Sequence, residues 1–219
     1  MEFMLDGLLD TEVDNFQLPN PELLQFYHDL KENHVWLEDI GFDECKFVIK
    51  WLLAADRNPK ETSPIYIHIN SGGGDLDTMF TIYDIIKNMR RPVITINEGR
   101  CHSAALIIFL AGKTRLMRRY AQFVAHEGSA NMGGSAREMK QAQMAYERCV
   151  EDMRQVIVDE TNITYEKLSG HFDKDQDWYI DYPQAKELGL LRETSYQQLG
   201  VGSVVLDIPL TIPGYARVD

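Results

Sequence analysis

Apolar positions along the chain change their period several times, and each change predicts an element. From Phe42 to Ala55 the residues Phe42, Cys45, Val48, Ile49 and Leu52 recur every three or four positions, which predicts an amphipathic helix. The turn formers of ADRNPKETSP end it. A strand is predicted at IYIHI (65–69), then the loop NSGGGD, then a helix with Met79, Ile82, Tyr83, Ile86 and Met89 on one face. After Arg91 and Pro92 the order repeats as strand VITIN, loop EGRCH, the buried helix SAALIIFLAG and strand QFVAH. Such alternation predicts an α/β fold with a largely parallel sheet covered by helices. Sites in such folds sit at the carboxyl ends of strands, here the loops 70–75 and 98–103 and the turn at His126.

Beyond Gly133 and Gly134 a long helix is predicted to about Asp159, with Met139, Tyr146, Cys149, Val150, Met153 and Ile157 as its apolar stripe. That stripe suits a core or a subunit contact. A short helix follows at Pro183 to Leu188, where proline suits the first turn. Residues 1–24 read as an irregular amino-terminal arm, 25–194 as one domain, and 195–219 as a tail containing the strand-like VVLDIPL.

Charge then narrows the classes. A net charge of -12 argues against a nucleic-acid partner, because phosphate binders cluster Lys and Arg. The pairs Arg90-Arg91 and Arg118-Arg119 read as solvated or ion-paired surface. Cys45, Cys101 and Cys149 lie far apart, which fits neither a disulfide framework nor a zinc site. No metal or other cofactor is expected, and a reducing cytoplasm is the simplest compartment. The first fifteen residues are acidic and show no targeting signal. The apolar run Ala104 to Ala111 is far shorter than the roughly 20 residues that span a bilayer, so no membrane partner is expected.

Two fragments imitate nucleotide loops. SGGGDLD lacks the third glycine of a dinucleotide fingerprint, and GKT at 112–114 closes a helix and lacks its leading glycine. Ser103 is more informative. It stands at the mouth of the most apolar run in the chain, which leaves two readings: a helix-capping serine or a nucleophile. At a helix start the amide of Ala104 has no internal partner and can stabilise an oxyanion, while the Gly73-Gly74 loop of the neighbouring strand can supply a second donor. Of six histidines, His126 emerges at the same sheet edge. His102 is adjacent to Ser103 and points away in a tight turn, and His68 sits inside a strand.

These stretches together resemble the Clp serine protease family. The resemblance rests on INSGGGDLDTMFTIYDIIK, GRCHSAA, FVAHEG and DQDWYIDYPQAKELGLL, in order, from about residue 33 to 193. It implies a crotonase/Clp-type fold of repeated β-β-α turns with a parallel sheet and a protruding helix-strand handle. It implies Ser103 as nucleophile, His126 as general base and Asp177 as the acid orienting the imidazole, with Asp173, Asp175 and Asp181 close by in sequence. Gly74 and Ala104 match the oxyanion amides, and Gly72, Gly73, Glu127 and Gly128 the substrate-binding strands. The implied partners are copies of itself in a heptameric ring, or two rings stacked as a tetradecamer, together with an AAA+ unfoldase and unfolded polypeptides.

The chain departs from the family pattern at four places. Gly72 replaces a proline, Arg-Cys-His precedes the serine, Glu-Gly follows His126, and Gln176 replaces an arginine. A carboxylate at Glu127 is expected to raise the pKa of the neighbouring imidazole or redirect its hydrogen bond. Three rival readings follow: a catalytically impaired regulatory ring subunit, a phage capsid-maturation protease of the same fold, and an acyl-CoA hydratase or isomerase, which needs no Ser-His-Asp set.

Overall fold

The computed structural model describes residues 20–128, 133–172 and 177–192. The expected tail strand at VVLDIPL, most of the expected arm, and Asp173, Asp175 and Gln176 lie outside the described residues.

The described part of the chain begins with α1 (Pro21–Lys31), with proline in the first turn where no N–H is needed. Strand β1 (His34–Leu37) turns Val35 and Leu37 inward. Helix α2 (Phe42–Ala55) buries Cys45, Val48 and Leu52 of the stripe expected from its spacing, with Ile49 partly buried, while Phe42, expected in the same stripe, lies exposed at the helix start. Strand β2 (Ile65–Ser71) is buried along nearly its whole length, as a parallel strand covered on both faces must be. Helix α3 (Leu76–Asn88) is capped by Asp75, whose carboxylate accepts from the Thr78 N–H at 2.7 Å.

Strand β3 (Val93–His102) leads into α4 (Ala104–Leu110), all seven residues of which are buried. Then come β4 (Thr114–Met117), β5 (Gln122–Ala125), and the 25-residue α5 (Ala136–Glu160), which starts with a reciprocal Ser135–Glu138 capping box. The first buried residue of α5 is Val150, so its amino-terminal half stands away from the body as a handle. Helix α6 (Tyr165–Phe172), β6 (Trp178–Ile180) and α7 (Tyr182–Glu187) complete the described chain.

The sheet runs β1-β2-β3-β5-β6, with β4 pairing β3 off this path. Every pairing is parallel except β5 with β6. The main core lies between the sheet and α2, α3 and α4, while Tyr66, Ile94 and Ile96 form a smaller apolar cluster with Leu116.

Three sequence expectations change. EGRCH is not a loop: β3 runs on to His102 because it leaves β4 after Asn97 and takes β5 as its new neighbour from Arg100. Along that extension Arg100 faces solvent and Cys101 is fully buried, a period-two alternation too short to read among polar residues. The expected irregular arm already contains helix from Pro21. Strands β1, β4 and β6, of three or four residues each, carry too few positions for a period to declare itself. Among the described residues no helix is long and apolar enough to cross a membrane.

Candidate active site

The carboxyl ends of β2, β3 and β5 converge on Ser103. Its backbone sits at φ 55°, ψ -126°, a positive φ that costs a side chain of this hand roughly 1–3 kcal/mol. A capping serine adopts extended backbone and binds an N–H of the first turn, whereas Ser103 does neither: its hydroxyl makes no capping bond. What holds the strained turn is the Ser103 N–H, which donates to the Val124 carbonyl at 2.8 Å, and the buried α4 behind it. Val124 lies two residues before His126, so this bond ties the serine turn to the strand that delivers the histidine.

The glycine loop lies directly on that turn. Gly73 has φ +103°, and a Cβ placed there would meet the Ser103 Cβ at 2.8 Å, the His102 carbonyl at 2.9 Å and the Ala104 nitrogen at 3.3 Å. A side chain at Gly74, φ +153°, would collide with the Ile40 carbonyl. The Gly73 N–H donates to the Ser71 hydroxyl at 3.1 Å, and Ser71 is wholly buried. Among the described residues neither the Gly74 nor the Ala104 N–H has an acceptor in the protein. Gly72 is exposed and has open space where a side chain would go.

His126 and Asp177 face each other by strand register. In the antiparallel pair β5/β6, Ala125 opposes Trp178, and the next residue out on each side is His126 and Asp177. Their closest atoms, His126 Nδ1 and Asp177 Oδ1, are 3.9 Å apart, within ion-pair range and beyond hydrogen-bond length. His126 is about one-third exposed and Asp177 about one-half, at 35% and 55%.

Two residues hold Glu127. Its carboxylate lies 3.7 Å from Arg154 Nη2, and its carbonyl accepts from the Tyr146 hydroxyl at 3.2 Å. Both partners lie on α5. Gly128 bends the chain at φ +89° beside that hydroxyl. His102 lies close enough to His126 and Asp177 to feel both charges, and its Nε2 is buried with no hydrogen-bond partner among the described residues. Burial pushes its pKa down, Arg100 and His126 push the same way, and Asp177 opposes them.

Three positioning residues were not singled out from the sequence. Asn70 Oδ1 accepts from the Arg100 N–H at 3.1 Å, and Asn97 accepts from the Gly99 N–H at 3.1 Å while donating to the Gln122 carbonyl at 3.0 Å. These amides bridge the place where β3 changes neighbour. Ser71 holds Gly73. The only signal available was polar residues at the ends of apolar strands, which is too common to act on.

A family model for the Clp protease matches residues 23–197. The chain belongs to the Clp protease family. It is 30% identical over 155 residues to the ATP-dependent Clp protease proteolytic subunit 2 of Treponema pallidum (strain Nichols), covering 70% of this chain and 76% of that one. The ATP-dependent Clp protease proteolytic subunit of Dehalococcoides mccartyi (strain CBDB1) is 32% identical over 170 residues, 75% of this chain and 82% of its own. A relative in Mesostigma viride, the ATP-dependent Clp protease proteolytic subunit, is 33% identical over 134 residues. Family membership therefore spans the glycine loop, the serine turn, the histidine strand and β6 together.

Proposed function

We propose that the chain is a serine endopeptidase that cleaves unfolded polypeptides by an acyl-enzyme mechanism. The observation that carries the reading is Ser103 itself, a strained residue at a strand-to-helix turn whose hydroxyl does no capping. In this mechanism Ser103 Oγ attacks the peptide carbonyl carbon as His126 Nε2 takes its proton, and Asp177 steadies the imidazolium through Nδ1–H. The resulting oxyanion accepts from the Gly74 and Ala104 N–H groups, the two donors left without acceptors in the protein. Collapse expels the amine, which takes the proton from His126, and an activated water then releases the acyl group. The His126–Asp177 separation of 3.9 Å shortens when substrate docks, as loose resting geometry often does.

Gly72, Gly73, Glu127 and Gly128 flank the groove as the extended segments along which a substrate strand lies. Family membership supports a peptidase working in a ring: a heptamer, or two heptamers stacked, enclosing the sites, with an AAA+ unfoldase feeding it. The 3.9 Å separation and the half-exposed Asp177 also favour a second reading, a ring subunit with an impaired site.

One experiment separates them. A fluorophosphonate probe labels wild type at Ser103, and Ser103→Ala loses both labelling and peptide hydrolysis, a loss of about four or more orders of magnitude in rate. Labelling that persists in the variant removes Ser103 as nucleophile. Failure of wild type to label leaves the impaired subunit.

A further inference from the structure

The chain carries a net charge of -12, yet one of its cavities is strongly basic. At the amino-terminal end of β3, a strand's length or about 30 Å from Ser103, lies a cavity of about 250 Å³ lined by Lys87, Arg90, Arg91, Lys113 and Arg192. Among the described residues no Asp or Glu lines it. The elements that bring these cations together are the carboxyl ends of α3 and α4, the strand start at Pro92 and Val93, and the chain after α7.

Nearby carboxylates do not balance the charge. Glu160 is shared by Lys87 at 2.5 Å, Arg192 at 3.7 Å and the buried Arg115 at 3.9 Å. Asp56 pairs with Arg90 at 3.5 Å and accepts from the Arg91 backbone N–H at 3.2 Å. Arg91 was expected at the surface and is instead 4% exposed. Its guanidinium donates to neutral groups: the Ser63 carbonyl at 2.8 Å, the Asn33 amide oxygen at 2.8 Å and the Ala55 carbonyl at 3.3 Å. Among the described residues, six cations therefore sit around three carboxylates: Glu160, Asp56 and Glu61, whose charge acts on Arg91. The surplus shows in Arg115, whose pKa falls to about 10 because burial, and then Arg192, disfavour its charge.

We propose that this cavity is an anion site that takes a compact phosphoryl anion: inorganic phosphate, pyrophosphate or triphosphate. A single carboxylate offsets one charge and presents two oxygens. A phosphoryl group carries nearly two charges and three oxygens, which suits a mixture of guanidinium forks and ammonium points. The volume is below the roughly 300–1,000 Å³ of sites for drug-sized ligands, so the anion is bound without a nucleoside. The carboxyl ends of α3 and α4 oppose an anion with about half a charge each, and five whole cationic charges outweigh them.

The test is thermal melting at fixed ionic strength, with triphosphate, pyrophosphate, phosphate or chloride as the sodium salt. Triphosphate is expected to raise the melting temperature saturably, more than phosphate, with chloride inert. Lys113 and Arg192 are exposed, so substituting them leaves the fold intact. Lys113→Gln with Arg192→Gln is expected to weaken the apparent affinity by about tenfold or more, while Lys113→Arg keeps it. A triphosphate response no larger than that of chloride, or an unchanged response in the double variant, would each overturn the proposal. Labelling of Ser103 is independent of both readouts.

Discussion

Gly73→Ala puts one methyl group where the glycine loop meets the serine turn. The backbone there has φ +103°, a conformation that costs an alanine roughly 1–2 kcal/mol. The new carbon would also lie 2.8 Å from the Ser103 Cβ and 2.9 Å from the His102 carbonyl, against the roughly 3.5–4.0 Å of ordinary contact. Loop and turn must separate by a little under 1 Å, on the order of the gap between those two distances, and both are backed by buried backbone. Overpacking of that kind adds about 1–3 kcal/mol, so the combined loss is roughly 2–5 kcal/mol, or about 4–20 °C in melting temperature for a domain of this size. Chemistry suffers more, because a misplacement near 1 Å at the reacting group costs on the order of 100-fold. The measurement is the second-order rate of fluorophosphonate labelling, taken well below the variant's own melting point so that every molecule is folded. Gly72→Ala is the control, since a side chain there meets nothing, and it is expected to melt and label like wild type. The reasoning fails if Gly73→Ala labels within about threefold of wild type, or if Gly72→Ala falls as far.

Other substitutions probe the rest of the molecule. His126→Ala and Asp177→Asn are expected to remove most peptide turnover while His102→Ala leaves it largely intact; a dead His102 variant would make His102 the base, and the Ser103/His126 double variant should be little worse than either single one. Glu160→Gln leaves buried Arg115 and half-exposed Arg192 facing each other without their shared carboxylate, and chemical denaturation should show a loss of about 3 kcal/mol or more. His34 Nδ1 and His68 Nε2 are 2.7 Å apart and share one proton, and burial first, then His68, lowers the His34 pKa from 6.5. A histidine whose folded pKa is lowered contributes stability above 6.5 that is lost as pH falls below it. Trp36, stacked on His68 at 4.7 Å, should report that loss in fluorescence, and His34→Gln should abolish the step. Light scattering should find a ring-sized particle, and a stable 25.2 kDa monomer would remove the chamber from the proposal.

Some elements declared themselves in the residues and others did not, for physical reasons. Helix α2 begins and ends where its three-and-four spacing begins and ends, because one face packs on the core and the other meets water. Strand β3 overran its apolar stretch because its ladder continues with a different neighbour, and pairing across 20 or more residues leaves no local mark. For the site, the serine, the glycines and the helix start were legible as residue types in order. The positive φ of Ser103 was not, since nothing about a serine forces it. Nor was the facing of His126 and Asp177, which depends on the register of β5 against β6 with two helices intervening. Arg91 misled because a charged pair after a helix usually points outward, whereas here its stem is buried and its donors find carbonyls.

Strand β6 has three residues and, among the described residues, joins the sheet on one side only, as the last strand in the order. Asp177 hangs from its free end, so the group proposed to steady the imidazole is attached to the least anchored strip of the sheet, while Ser103 is fastened to its middle. Opening at a sheet edge requires less free energy than global unfolding. On warming, therefore, hydrolysis should fade over a range in which the molecule still melts as a folded body and Ser103 still sits in its turn. Heat inactivation should then begin as the detachment of one short ribbon, reversible on cooling, and pinning β6 should raise its temperature without touching the core.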